Sequence, residues 1–157
     1  MKKFFSRFFN IDKLDASHSQ PSEHTEIGLD SAIMDAVLAE IDVDIAISSH
    51  EHWKLRLQNI LDGESSKALK PEVICQDNRC DLGKWLYGPG EQRLGHYPAF
   101  QMLIARHKYF HAQAAIVVTQ AQSGDIEKAR QTLNSSYRQA SNQVILLLKQ
   151  LKRGLER

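Results

Sequence analysis

A chain of 157 residues is about the length of one ordinary domain, and it can bury a hydrophobic core without disulfides. Its 20 basic and 19 acidic residues nearly balance, so no global electrostatic field favours a nucleic acid, and we predict that none binds. Two cysteines are too few for a disulfide framework and fit a reducing cytoplasm. The longest unbroken apolar runs are about five residues, against the roughly 20 that a membrane-spanning helix requires.

The first 28 residues are predicted to form a flexible segment. Met1 to Asn10 carry three basic residues and four phenylalanines but no continuous apolar core, so they form a poor secretory signal. We therefore expect the mature protein to keep them. They form either a plain disordered start or a weak docking segment for an anionic membrane surface or a partner groove. Asn10 to Gly28 are polar and aperiodic, which is typical of a linker. We therefore expect the folded unit to cover residues 29–157.

Helical periodicity dominates the rest of the chain. A long helix is predicted to begin at Asp30 or Ser31 and to end before Gly63. Prolines and glycines then interrupt the pattern, and only Lys67–Leu69 and Cys80–Tyr87 look locally helical.

Two further helices are predicted after this interrupted region. One begins at Pro98 and continues to about Gln122, and Asp125 caps the last, which carries an apolar stripe towards the C-terminus. No alternating strand pattern of useful length occurs. The prediction is an all-α fold: an antiparallel four-helix bundle with a short Cys-bearing helix or loop between the first long helix and the His-x-x-x-His helix.

Histidines fall on the apolar faces of the two long helices. At about 100° per residue, His50 shares the apolar arc of the first helix, whereas His52 lies nearly opposite. On the helix after Pro98, His107 and His111 both lie on the apolar arc, one turn apart. We therefore expect three histidines to point inward.

These inward histidines have two interpretations. Each can be a neutral core histidine bonded to a backbone carbonyl, or the set can chelate one cation. Cys80 completes a tetrahedral set of a kind that suits zinc. Asp77 or Asn78 could cap the short helix that opens around Cys80, and a helix N-terminus favours the thiolate. The residue pattern alone leaves both interpretations open.

Three segments together resemble a known family. The first contains a histidine three residues before Trp53. The second is a Cys-x-Leu-Gly-x-Trp segment that begins at Cys80, about 30 residues later. The third contains the pair His107 and His111, which begins 27 residues beyond the cysteine. This combination is similar to the bacterial chemoreceptor zinc-binding (CZB) domain, over about Ile33 to Leu151. The resemblance implies that His50, Cys80, His107 and His111 bind one zinc ion per chain.

The family resemblance also implies a four-helix bundle, frequent homodimers and a regulatory role beside chemoreceptors or diguanylate cyclases. We expect a stand-alone sensor, cytoplasmic or at the membrane periphery, whose output passes through such a signalling partner. Because four protein ligands close a zinc tetrahedron and Glu51 points away from His50, we expect no enzymatic activity.

Alternatives to a zinc-responsive module remain. Oxidation of zinc-bound Cys80 could be the signal, or the zinc could only stabilise a scaffold; a hydrolase and a di-iron site fit the residues less well. Cys75 is predicted to be a plain buried cysteine rather than a resolving thiol. Trp53 and Trp85 are predicted to pack around the metal site as an apolar shell.

Overall fold

The computed structural model describes residues 30–156, and all regular secondary structure in this range is helical. The helices are α1 (Ser31–Glu40), α2 (Val43–Leu61), α3 (Pro71–Ile74), α4 (Asp81–Leu86), α5 (Pro89–Leu94), α6 (Pro98–Gln122), α7 (Ile126–Thr132) and α8 (Arg138–Leu155). A π-helical turn, Leu133–Tyr137, joins α7 to α8. The predicted all-α bundle is confirmed, whereas the flexible segment and its docking role lie outside the described residues.

The single long helix predicted before Gly63 is wrong, because the structure divides it in two. Ile41 is extended, with φ −143° and ψ 133°, and α2 starts afresh after Asp42. The Asp42 carboxylate accepts a hydrogen bond from the Ile45 N–H at 3.0 Å, which caps α2 as Asp30 caps α1. Both halves carry the same apolar period, so periodicity did not reveal the break.

Short helices occupy the region between α2 and α6. The predicted helix around Cys80–Tyr87 is confirmed as α4, but Lys67–Leu69 forms only a turn, and α3 and α5 were missed. Both missed helices begin with a proline, Pro71 and Pro89. Proline is compatible with a first helical turn, so residues that suggested interruptions here begin helices instead.

The helix that carries His107 and His111, α6, has the predicted bounds. It begins at Pro98 and ends at Gln122, and Gly124 then adopts φ 84°, which lets the chain reverse. Asp125 occupies the N-cap position of α7, but its side chain makes no capping hydrogen bond, contrary to prediction.

The core lies between α2, α6 and the C-terminal segment that consists of α7, the π-helical turn and α8. Helix α1 packs against α8. The predicted apolar stripe of α8 is buried along its length, and its fully buried members are Val144, Leu148 and Leu151. Within residues 30–156, no helix combines the length and apolar composition that crossing a bilayer needs.

A hydrogen-bonded cluster fixes α4 and α5 against the end of α1. The Trp85 indole N–H donates to Glu40 Oε2 at 3.2 Å, and Arg93 Nε donates to Glu40 Oε1 at 2.6 Å. The Trp85 ring also packs edge-on against Phe100, with ring centroids 5.6 Å apart. These contacts hold α4, which directly follows Cys80, in the bundle.

Candidate metal centre

Three buried histidines approach one another from two helices. His50 on α2 is 3% exposed and His52 is exposed, as the helical arc predicts. On α6, His107 is 0% and His111 is 5% exposed. The three ring centroids are 4.6 to 6.0 Å apart.

Cys80 joins this cluster from the N-terminal end of α4. It is itself the N-cap residue, because its Sγ accepts a hydrogen bond from the Gly83 N–H at 3.3 Å. The prediction that Asp77 or Asn78 caps this helix is therefore wrong. The Sγ atom lies 3.3 Å from His107 Nε2 and 3.6 Å from His111 Nε2.

Gly83 makes the position of Cys80 possible. A Cβ atom on Gly83 would lie 1.8 Å from the backbone oxygen of Asp77, a distance that no side chain tolerates. The glycine therefore lets the loop before Cys80 close tightly over the first turn of α4.

Three of the four donor atoms lie at the separations of a tetrahedral zinc site, and the fourth lies near them. One ligand atom from each of His50, Cys80, His107 and His111 lies within 4.8 Å of the other three. The two α6 imidazoles bring their Nε2 atoms to 3.2 Å, and Cys80 Sγ lies 3.3 and 3.6 Å from these nitrogens. Ligands at usual zinc distances are separated by about 3.3 to 3.6 Å.

Hydrogen bonds orient two of the imidazoles for metal binding. The Nδ1–H of His50 donates to the Ala46 carbonyl at 2.7 Å, and that of His111 donates to the Ile74 carbonyl at 2.8 Å. Their Nε2 atoms are then unprotonated in the neutral rings and face the cluster. Converging lone pairs in a buried space repel one another unless a proton or a cation lies between them, and one zinc ion would satisfy all of them together, so these residues fit a bound zinc.

The histidines are neutral at physiological pH. Burial lowers the pKa of His50 to about 4, although its bond to Ala46 acts weakly in the opposite direction. Burial, followed by the charges of the other two imidazoles, lowers the pKa of His107 to about 2, and burial also lowers that of His111. Metal binding therefore displaces no proton from the histidines.

The cysteine behaves differently from the prediction. Burial raises the pKa of the Cys80 thiol, and this outweighs the hydrogen bonds that Gly83 and Leu82 donate to it. In the metal-free protein the helix N-terminus therefore does not make the thiolate the favoured form, and zinc would have to displace the thiol proton.

The segment that contains the cluster is similar to a known protein family. Residues 50–118 match the model of the family described as the chemoreceptor zinc-binding domain. This segment of the chain is similar to a CZB domain. The match begins at His50 and includes Cys80, His107 and His111, so one zinc ion per chain is the cofactor that the family and the cluster indicate. No curated protein and no solved structure matches the chain significantly.

Around the candidate metal centre, the two tryptophans differ in their surroundings. Trp53 is half-buried and lines a cavity of about 360 Å³ that also reaches Cys80 and His111. Trp85 is buried, and it contacts Glu40 and the ring of Phe100 on α6. A role of either ring as a shell around zinc stays a prediction.

Cys75 is exposed, so its prediction as a buried cysteine is wrong. It follows the last residue of α3, and its thiol is directed to the Glu72 carbonyl at 3.4 Å. The apolar neighbours that suggested burial divide between the two sides of this short helix, since Ile74 is buried and Val73 is exposed.

One polar pair beside the candidate ligands was not predicted from the sequence. Asp77 is only 8% exposed, and its Oδ2 accepts a hydrogen bond from the Tyr87 hydroxyl at 2.6 Å. The same oxygen lies 3.6 Å from His107 Nδ1. The only signal in the sequence is an acidic residue three positions before Cys80, which suggested a helix cap instead.

Proposed function

We propose that this protein is a zinc-responsive regulatory module, which couples zinc occupancy to a signalling partner. The observation that carries the proposal is the origin of the four donors. His50 comes from α2, Cys80 from the loop before α4, and His107 and His111 from α6. Zinc bound to all four would tie three separate elements together.

Zinc occupancy would therefore change how these elements pack. Without metal, the Cys80 thiol has one proton to share with the imidazole nitrogens beside it, and with metal all four donors are drawn to a common centre. The free energy of binding then favours one arrangement of α2, α4 and α6, and a partner that recognises this arrangement reads the occupancy.

No feature of the centre supports catalysis. Four protein donors satisfy zinc without an open position, whereas catalytic zinc sites normally provide three. Glu51, the nearest carboxylate in sequence to His50, is exposed and lies 3.7 Å from Lys149 Nζ. It therefore does not act as a general base at the metal.

Oxidation of Cys80 is a second signal that the structure favours. Cys80 is only partly buried, and the cavity beside it reaches the surface between Trp53 and the cationic residues Arg56, Lys70 and Arg79. Small solutes can therefore approach the sulfur. An oxidised sulfur is a poorer zinc ligand, so the oxidant would weaken the centre at this one ligand.

The partner and the setting of the module follow from the family resemblance. We propose a homodimer in a bacterial cytoplasm that acts on a chemoreceptor or a diguanylate cyclase. Weak docking of Met1 to Asn10 on a membrane surface or a partner remains part of this proposal. A purely structural zinc, which stabilises a scaffold, is the alternative, and the burial of all three histidines favours it.

Removal of zinc separates the sensor from the scaffold. We expect the full chain to exchange zinc reversibly at buffered free-zinc levels near those of a cytoplasm, with its helical circular dichroism retained after chelation. Hydrogen exchange should increase around Cys80 and in α4. Complete melting of the helices on chelation would establish the structural alternative and contradict the sensor.

The redox signal is tested on the same protein with one equivalent of hypochlorous acid. We expect zinc release together with modification of Cys80, and a Cys75→Ser variant should respond as the wild type does, because Cys75 lies outside the cluster. Retention of zinc with an unmodified Cys80 would rule out this route.

A further inference from the structure

His107 differs from the other two histidines at its outward-facing nitrogen. The Nδ1 atoms of His50 and His111 donate to backbone carbonyls, but His107 Nδ1 is buried and has no hydrogen-bond partner within residues 30–156. An unpaired polar atom in a fully buried side chain is unfavourable and calls for an explanation. The carboxylate of Asp77 supplies one.

Asp77 Oδ2 lies 3.6 Å from His107 Nδ1, a few tenths of an ångström beyond a hydrogen bond. Both groups are buried: the side chain of His107 is 0% exposed and that of Asp77 is 12% exposed, against 8% for the whole Asp77 residue. A carboxylate this close to a buried imidazole favours a proton on Nδ1, and the opposite nitrogen, Nε2, is then free to bind metal.

Tyr87 holds the carboxylate in place. Its hydroxyl donates to the same Oδ2 at 2.6 Å, and burial together with this hydrogen bond raises the pKa of Tyr87 to about 12, so the phenol stays a donor. The Asp77 backbone is fixed as well, since its carbonyl oxygen lies against Gly83 and 3.7 Å from Cys80 Sγ.

We propose that Asp77, held by Tyr87, is the positioning residue of the zinc centre, and that it accepts the Nδ1–H of His107 so that Nε2 is directed at the metal. The inference rests on the proposed zinc binding and adds a determinant of its affinity. Asp77 also connects two ligands, because its side chain faces His107 and its backbone contacts Cys80. The 46% exposure of Tyr87 places the outer end of this network at the protein surface.

The test compares zinc affinity, measured by competition with a chelator, in the full-length wild type and in Asp77→Asn and Tyr87→Phe. Two variants serve as matched controls. Asp81→Asn removes a carboxylate beside Cys80 whose side chain is 98% exposed, and Tyr109→Phe removes an exposed hydroxyl from α6.

We expect Asp77→Asn to weaken zinc binding about 10- to 100-fold, the usual effect of losing such a partner, and Tyr87→Phe to weaken it by less. Both controls should bind as the wild type does. In zinc-loaded protein with ¹⁵N-labelled histidine, the Nδ1–H resonance of His107 should shift in Asp77→Asn, while those of His50 and His111 do not.

Three results would contradict the inference. One is an equal loss of affinity in Asp81→Asn, which would indicate a general effect of charge. Another is a lower melting temperature of metal-free Asp77→Asn with unchanged zinc affinity, which would indicate a purely structural role. The third applies if Asp77→Asn does not fold: an unchanged zinc affinity of Tyr87→Phe would then contradict the inference. A wild type that binds no zinc would overturn the proposed function itself, which distinguishes the two failures.

Discussion

Each candidate ligand is distinguished from its neighbours by the direction of its side chain. His50 and His52 are two residues apart on α2, yet one is buried in the cluster and the other is exposed. We expect His50→Ala to weaken zinc binding by more than the roughly 100-fold that loss of a supporting residue reaches. The matched His52→Ala should leave zinc affinity unchanged in the same chelator competition. Equal losses in the two variants would contradict the assignment of His50.

Helical geometry predicts from the sequence that the three histidines point inward, because it fixes which side of a helix a residue occupies. Their assignment as ligands together with Cys80 comes from the family resemblance. The sequence does not predict the properties that depend on how α3, α4 and α6 pack. The raised pKa of Cys80, the exposure of Cys75 and the burial of Asp77 are all of this kind. Each depends on which atoms from a distant part of the chain cover the residue.

At the scale of the element, the tight start of α4 depends on one glycine. We expect Gly83→Ala to destabilise the protein by about 1–3 kcal/mol or more, because the added methyl group meets the Asp77 backbone rather than a movable side chain. It should also weaken zinc binding, since the loop that carries Asp77 and Cys80 must shift. Urea unfolding and zinc competition measure the two effects.

Gly124→Ala is the control for Gly83→Ala. Gly124 has φ 84°, but an added methyl group would meet open space, so this change strains the backbone far from the metal centre. It should reduce stability while zinc affinity stays unchanged. A Gly83→Ala protein with normal zinc affinity would show that the close approach does not position Cys80.

Long elements are predictable from sequence and short ones are not. The bounds of α6 follow from Pro98 and from the glycine after Gln122, and a sustained apolar period connects them. Helices α3 and α5 are too short to show an apolar helical period. Each begins with a proline, a residue that also interrupts helices, so the sequence does not reveal them. The break before α2, where Asp42 caps the new helix, does not interrupt the apolar period. The local sequence therefore looks the same as that of one uninterrupted helix.

At the scale of the whole molecule, the buried histidines link metal-free stability to pH. The folded-state pKa of His50 is about 4 and that of His107 about 2, both below the 6.5 of an unfolded histidine. Their neutral burial therefore contributes stability that is complete above pH 6.5 and is lost as pH falls below it. Each group contributes at most about 1.4 kcal/mol per pH unit in this range.

Urea unfolding of the metal-free chain at pH 7.5, 6.5 and 5.5 measures this dependence. We expect a smaller loss of stability between the first two values than between the second and the third. His50→Gln should reduce the loss, and His52→Gln, which alters an exposed ring, should not. A free energy of unfolding that stays constant down to pH 5.5 would show that the histidines are not buried as neutral groups.

The central claim is that one closed tetrahedral centre, formed by His50, Cys80, His107 and His111, holds zinc across three elements of the bundle. The most direct measurement is the metal content of protein purified without a histidine tag, compared with that of a Cys80→Ser variant. We expect about one zinc per chain in the wild type and weaker retention in the variant. Iron, or no metal in the wild type, would contradict it.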